Sequence, residues 1–136
     1  MIDHSLTLTP SLLDAMRRHV ATESPLEACG LLAGKNGIVQ TVLAIKNAAA
    51  SQVRFRMEPR AQLRAFDQIE ASGQEVLAIF HSHPKGPSVP SPTDIKEAAY
   101  AVVHIIWSPV GRRWHARGFW IEDGHAAEIP LNVQAV

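Results

Sequence analysis

Residues 75–84 read Glu-Val-Leu-Ala-Ile-Phe-His-Ser-His-Pro, and this stretch decides the fold. The part up to Phe80 is apolar almost throughout, which is typical of a central strand that is covered on both faces. Side chains two positions apart in a strand project from the same face. If strand geometry continues past Phe80, His81 and His83 project together, as joint binding of a metal ion requires.

A stiff loop and a capped helix follow the two histidines. Residues 84–92 hold four of the nine prolines in the chain, which excludes regular structure there. Ser91 has the pattern of a helix N-cap, with Pro92 in the first helical position and Asp94 three residues after the cap. Two imidazoles and a carboxylate suit zinc and leave a fourth tetrahedral position for water. The spacing of His83 and Asp94 therefore favours a metal site that activates water for hydrolysis.

The whole chain, residues 1–136, is predicted to form one mixed α/β domain. Apolar periodicity and turn residues predict the other elements. Helices are predicted over residues 11–21, 59–73 and 92–99. Strands are predicted over residues 30–33, 38–43, 53–57, 75–80, 100–107 and 114–121, with a last strand that ends near residue 130. We therefore expect a central mixed sheet of about six strands, flanked by two helices, with the short third helix beside the metal site.

Charge and length exclude several classes of protein. The 136 residues include 13 Lys plus Arg and 13 Asp plus Glu, so the formal net charge is zero. This balance gives no electrostatic footprint for nucleic acid or for an anionic membrane. No apolar run approaches the roughly 20 residues of a membrane span. The pairs Arg17-Arg18 and Arg112-Arg113 are interpreted as solvated surface.

The chain contains a single cysteine, Cys29. One cysteine cannot form an internal disulfide, so the fold does not depend on an oxidising compartment, and a cytoplasmic location is predicted. The N-terminus also lacks the pattern of a signal peptide. Cys29 is interpreted as a small buried hydrophobe rather than a metal ligand or a redox group.

Other metal chemistries can be compared with the same residues. A nucleoside-type zinc deaminase needs His-x-Glu and a later Cys-x-x-Cys, and neither occurs here. The helical His-Glu-x-x-His pattern of zinc proteases is also absent. An iron oxygenase that uses His81, His83 and Asp94 remains an alternative. A hydrolytic zinc site also needs a carboxylate that shuttles protons, and spacing alone does not choose among five candidates. These are Glu27, Glu58, Glu70, Glu75 and Glu97.

These residues together resemble the JAMM (MPN-plus) zinc metalloproteases. The family pattern is an upstream glutamate, then His-Ser/Thr-His, seven residues, Ser, two residues and Asp. This chain has Glu27, His81-Ser82-His83, residues 84–90, Ser91, two residues and Asp94. The flanking residues 27–34 (Glu-Ala-Cys-Gly-Leu-Leu-Ala-Gly) and 57–63 (Met-Glu-Pro-Arg-Ala-Gln-Leu) look like the short prokaryotic branch. The resemblance therefore covers most of the chain.

The resemblance implies that His81, His83 and Asp94 bind one zinc ion with water as the fourth ligand. It implies that Glu27 acts as general acid/base and that Ser91 helps to hold the oxyanion. The implied fold is a mixed sheet flanked by helices, as in MPN and cytidine-deaminase-like domains. The implied reaction is hydrolysis of the peptide or isopeptide bond after the C-terminal Gly-Gly of a ubiquitin-like or sulfur-carrier protein. A non-catalytic MPN scaffold is the alternative within the same fold.

Overall fold

The computed structural model describes residues 4–98 and 101–135, and its main element is a mixed sheet of eight strands. The strands are β1 Leu6–Leu8, β2 Cys29–Lys35, β3 Ile38–Ile45, β4 Glu75–Ser82, β5 Val102–Val110, β6 Arg113–Glu122, β7 His125–Ile129 and β8 Leu131–Val133. The helices are α1 Pro10–Glu23, α2 Pro59–Ala71 and α3 Pro92–Glu97. In the described residues, no helix combines the length and apolar character needed to cross a bilayer.

The order of the strands shows that the sheet is strongly curved. The order is β7-β6-β5-β4-β2-β3-β1-β8, so β7 and β8 lie at opposite edges. Only Pro130 separates these two strands in the chain. The sheet must therefore curl until its edges approach each other, and Leu131 of β8 indeed lies against Gly118 of β6.

Strand β4 is central, as its apolar sequence predicts. It pairs antiparallel with β2 on one side and parallel with β5 on the other. In the β2–β4 ladder, Cys29 is the partner of His81. This register sets the start of β2 beside the histidines at the end of β4.

Each face of the sheet buries one long helix. Met16 and Val20 of α1 pack with Phe80 and Trp107 in the larger core cluster. On the other face, α2 packs in a second cluster, which includes Cys29. Alternate residues of β4 therefore face different cores, and His81 belongs to the α2 side, where Phe55 stacks on it.

Two expectations about the strands are wrong. The sheet has eight strands rather than about six, because β1 and β8 add a parallel pair of three-residue strands at one edge. Residues 53–57 do not form a strand, and the only bridge of that segment among the described residues joins Asn47 to Met57. The amide of Asn47 instead binds the backbone of Arg54 and Arg56, which satisfies polar groups that a neighbouring strand would otherwise pair.

The other elements agree closely with the expectations. Helix α1 starts where the Thr9 side chain accepts a hydrogen bond from the Leu12 N–H, and it ends before Ser24. Strand β5 runs from Val102 to Val110, three residues past its predicted end. Helix α3 ends at Glu97. The predicted end of that helix at residue 99 and the predicted start of β5 at residue 100 lie outside the described residues.

Candidate metal centre

Three side-chain atoms converge at the end of β4. The Nε2 atoms of His81 and His83 lie 3.2 Å apart. The Oδ2 atom of Asp94 lies 3.2 Å from the first and 3.0 Å from the second. The fold thus brings together the three residues whose spacing predicts a metal site.

The dimensions of this triangle fit a zinc ion. Ligand atoms of a tetrahedral zinc site, with bonds of about 2.0–2.2 Å, lie roughly 3.3–3.6 Å apart. The observed edges are only slightly shorter. Two imidazole nitrogens and one carboxylate oxygen also form a donor set that zinc accepts in catalytic sites. The residues present therefore fit the metal that the sequence pattern implies.

A hydrogen bond to Pro87 orients His83. The Nδ1 atom of His83 lies 2.8 Å from the carbonyl oxygen of Pro87, which can only accept. Nδ1 therefore carries a proton, and Nε2 is the ring atom that faces the triangle and would bind a metal ion. A backbone carbonyl in this position is a common second partner of metal-binding histidines.

His81 is fixed by packing rather than by a hydrogen bond. Its side chain is fully buried, and Phe55 stacks on its ring with 4.5 Å between the ring centroids. Burial lowers the pKa of His81, which keeps its imidazole neutral, the form that binds metals. Its Nδ1 atom has no hydrogen-bond partner among the described residues.

A capping box holds Asp94 in place. The Asp94 N–H donates to Ser91 Oγ at 2.9 Å, and the Ser91 N–H donates to Asp94 Oδ2 at 2.8 Å. Burial alone would raise the pKa of Asp94, but its contacts with His81 and His83 hold this pKa well below its usual range. The carboxylate is therefore charged and ready to bind a cation.

Glu27 is the buried carboxylate next to the triangle. One ligand atom from each of Glu27, His81 and His83 lies within 4.8 Å of the others. Glu27 is only 3% exposed, and its Oε1 atom has no hydrogen-bond partner among the described residues. Burial raises the pKa of Glu27 to about 7, with a smaller opposing effect of His83. A carboxylate with this pKa can both take and return a proton near neutral pH.

The structure also distinguishes Glu27 from the other candidate carboxylates. Glu58 accepts hydrogen bonds from the Arg60 and Ala61 N–H groups and so caps helix α2. Three other candidates are exposed, namely Glu70, Glu75 and Glu97.

Cys29, two residues after Glu27, lies in the core cluster on the α2 side of the sheet. It is fully buried, and its Sγ donates to the Ile45 carbonyl at 3.3 Å. Burial, reinforced by the charge of Glu27, raises the pKa of Cys29 to about 12. The thiol stays protonated at neutral pH and serves as a small core residue, as expected from the sequence.

Glu27 is held in position by two residues, and the sequence predicts a role for neither of them. Ser82, between the two histidines, points to the opposite face of β4, and its Oγ accepts the Ala28 N–H at 2.8 Å. The Asn47 side chain donates to the Glu27 carbonyl at 3.0 Å. A serine between two histidines is visible in the sequence, but nothing there marks Asn47.

We predict that Ser82→Ala lowers the free energy of unfolding by about 1–3 kcal/mol, because the buried Ala28 N–H loses its partner. Urea unfolding measures this change. Ser51→Ala is a matched control, because Ser51 Oγ also accepts a backbone N–H, from Val53, but at the surface. A loss no larger for Ser82→Ala than for this control would contradict the prediction.

We predict that Glu27 makes the metal-free protein less stable as the pH rises. Its pKa is about 7 in the fold against an ordinary value of 4.5, so the folded state binds more protons between these values. Stability at this site therefore falls as pH rises through that window. Glu27→Gln lacks this dependence. Its free energy of unfolding, relative to that of wild type, should therefore rise by on the order of 2 kcal/mol between pH 4.5 and 8. Urea unfolding of chelator-treated proteins tests this, and a difference that is independent of pH would contradict it.

Two cavities border the triangle. One of about 90 Å³ is lined by Glu27, His83 and Ser91, which gives access to the predicted catalytic groups. The other, of about 230 Å³, is lined by Asp94 and Phe55 among others. The first cavity is where a peptide bond could meet both Glu27 and Ser91.

Comparisons with known proteins agree with this geometry. The sequence pattern of the prokaryotic homologs of the JAB domain matches residues 9–120. A Thermus thermophilus protein named "Probable TtuB-protein conjugate cleaving protease" is 40% identical over 119 residues, which cover 87% of this chain and 77% of that protein. The CysO-cysteine peptidase of Mycobacterium tuberculosis is 31% identical over 132 residues, covering 94% and 90%.

The fold also matches solved structures. The solution structure of a Desulfitobacterium hafniense protein has a TM-score of 0.84 and 32% identity, covering 96% of this chain and 94% of that one. The family resemblance seen in the sequence is therefore confirmed, as is the mixed α/β class of the fold. This chain belongs to the prokaryotic homologs of the JAB domain.

Proposed function

We propose that this protein is a zinc-dependent peptidase or isopeptidase that hydrolyses the bond after the C-terminal Gly-Gly of a ubiquitin-like or sulfur-carrier protein. The observation that carries the proposal is the triangle of His81, His83 and Asp94 with the buried Glu27 beside it. The substrate class is supported by the names of two relatives, "Probable TtuB-protein conjugate cleaving protease" and "CysO-cysteine peptidase".

In this proposal His81, His83 and Asp94 hold one zinc ion per chain, and residues 1–136 act as one catalytic domain. Zinc, when bound in such a site, lowers the pKa of a bound water to about 7 and polarises a carbonyl group. A cytoplasmic location, which the single cysteine predicts, belongs to the same proposal.

Glu27 moves the proton in this reaction. Its buried carboxylate takes a proton from the attacking water and returns it to the nitrogen of the leaving amine. A pKa near 7 suits both steps, because the same group must act as base and then as acid at neutral pH. The unpaired Oε1 atom is the atom free to receive the proton.

Ser91 stabilises the negative charge that develops on the carbonyl oxygen. Its Oγ already accepts the Asp94 N–H, so its own hydroxyl proton remains free to donate. A preorganised donor of this kind typically contributes about 2.7–4 kcal/mol to the stability of the transition state. Ser91 therefore both caps α3 and contributes to catalysis.

The proposal is tested with the zinc-loaded wild-type protein. The substrate is a ubiquitin-like protein that is extended past its Gly-Gly, and mass spectrometry identifies the new terminus. Cleavage directly after the second glycine is expected. No cleavage, or cleavage at other positions, would contradict the proposal.

A further inference from the structure

The fold brings the two arginine pairs of the sequence into one groove. Arg17-Arg18 lie in α1, and Arg112-Arg113 lie at the turn between β5 and β6, yet all four line a groove of about 750 Å³. We propose that this groove binds an acidic segment of the protein substrate. That the partner is the substrate follows only if the proposed function is correct.

The charge of the groove is strongly positive although the whole chain is neutral. None of the described residues that line it is acidic. Asp14 lies beside it and pairs with Arg17 at 3.4 Å and Arg18 at 3.7 Å. Arg112 and Arg113 have no ion-pair partner among the described residues. Asp14 thus offsets one charge of the Arg17-Arg18 pair, and an acidic partner would supply carboxylates for the exposed Arg112 and Arg113.

A buried donor in the wall of the groove also lacks a partner. Trp107 lines the groove and is fully buried, and its indole Nε1–H finds no acceptor among the described residues. The Arg17 guanidinium lies 5.4 Å from the centre of the Trp107 ring. This cation–π contact holds the Arg17 charge at the wall of the groove.

The other lining residues favour a polypeptide over a nucleic acid. The groove is partly apolar, with Leu13, Trp114 and Leu131 among its lining residues. Cationic walls around apolar side chains suit a peptide that carries both carboxylates and apolar side chains. Single-stranded nucleic acid binds by stacking successive bases on open aromatic faces. Of the two tryptophans among the described lining residues, Trp107 is fully buried and only Trp114 is partly exposed, so the groove lacks such a series of faces.

The position of the groove connects it to the metal centre. Strands β4 and β5 are parallel, so their C-terminal ends share one end of the sheet. Trp107 is the ladder partner of Ser82, and its carbonyl accepts the His83 N–H at 2.8 Å. A substrate protein bound in the groove therefore lies close to the residues that would cleave its C-terminal tail. The groove would therefore increase the affinity for a whole substrate protein. A short peptide of the tail alone does not reach the groove and would not gain this affinity.

Binding is tested first, without any cleavage. The probe is a fluorescent peptide of about twelve residues that alternates Glu and Leu, and the double variant is Arg112→Glu/Arg113→Glu. The control Arg60→Glu/Arg64→Glu reverses two exposed charges on α2, outside the groove. We expect at least about tenfold weaker binding for the groove variant and less than about a twofold change for the control. Equal loss in both variants, or tighter binding of oligothymidine than of the peptide to wild type, would overturn the proposal.

The identity of the partner is tested by kinetics. The substrates are a whole ubiquitin-like protein extended past Gly-Gly and a short peptide with the same tail. We expect Arg112→Glu/Arg113→Glu to raise KM several-fold for the protein, with kcat unchanged and the short peptide unaffected. An unchanged KM for the protein would refute the substrate as the occupant. If wild type cleaves neither substrate, the proposed function fails together with that identification, while the peptide-binding result still decides whether the groove is an acidic-segment site.

Discussion

Glu27→Gln should lower the rate of cleavage after Gly-Gly by about 10²–10⁴-fold while the bound zinc is retained. Glutamine has nearly the shape of glutamate, so the buried packing around residue 27 is preserved. It cannot accept a proton at neutral pH, so it can neither activate the water nor protonate the leaving amine. The effect should appear in kcat, because Glu27 acts on the reacting atoms rather than on the distant parts of the substrate.

The measurement pairs turnover with zinc content, because the position of Glu27 allows a second role. One of its carboxylate oxygens lies within 4.8 Å of the histidine ligand atoms, a distance that also permits a direct bond to the metal. Zinc retention together with lost turnover identifies a proton shuttle. Loss of zinc would instead identify a ligand, and full turnover would exclude both roles. Glu97→Gln is the control, because Glu97 is exposed on α3 close to Asp94.

The end of β4 that carries His81 and His83 can be predicted from the sequence, because residues close together in the chain determine it. An unbroken apolar run predicts the central strand β4, and alternation then places His81 and His83 on one face. The pattern of Ser91 and Asp94 predicts the capping box, which depends only on residues three apart. Such short-range rules need no knowledge of the rest of the chain.

The errors occur where contacts distant in sequence decide the structure. Strands β1 and β8 have three residues each and form through parallel pairing between the two ends of the chain. Such short segments carry no detectable periodicity. Residues 53–57 do alternate as a strand would, but Asn47 binds the backbone on both sides of Phe55, which stacks on His81. The alternation there reflects the half-buried ring of Phe55 between two exposed arginines.

The choice of Glu27 also depends on a distant contact. Spacing cannot select it from five glutamates, because about fifty residues separate it from the histidines. The antiparallel register that pairs Cys29 with His81 places Glu27, two residues earlier, next to His83. The hydrogen bond from the Ala28 N–H to Ser82 then fixes that position. The family resemblance identifies Glu27, and the pairing of β2 with β4 explains why it lies there.

His83→Ala should reduce bound zinc from about one ion per chain to about one-tenth or less. The substitution removes one of three protein ligands, and loss even of an outer partner of a ligand typically costs 10–100-fold in metal affinity. Elemental analysis of protein purified without added metal measures the content and also distinguishes zinc from the iron that an oxygenase would carry. Asp94→Asn should behave similarly, because the amide keeps the size of the side chain but removes the charge.

Thermal unfolding provides an independent measure of the same loss. A ligand that binds only the folded state at one hundred times its Kd stabilises that state by about 2.7 kcal/mol. Zinc should therefore raise the Tm of wild type by several degrees and leave His83→Ala unchanged. His125→Ala, which removes an exposed histidine of β7, should respond to zinc as wild type does. A zinc-dependent rise in Tm that persists in His83→Ala would show that the ion binds elsewhere, and the assignment of His81, His83 and Asp94 as its ligands would then be wrong.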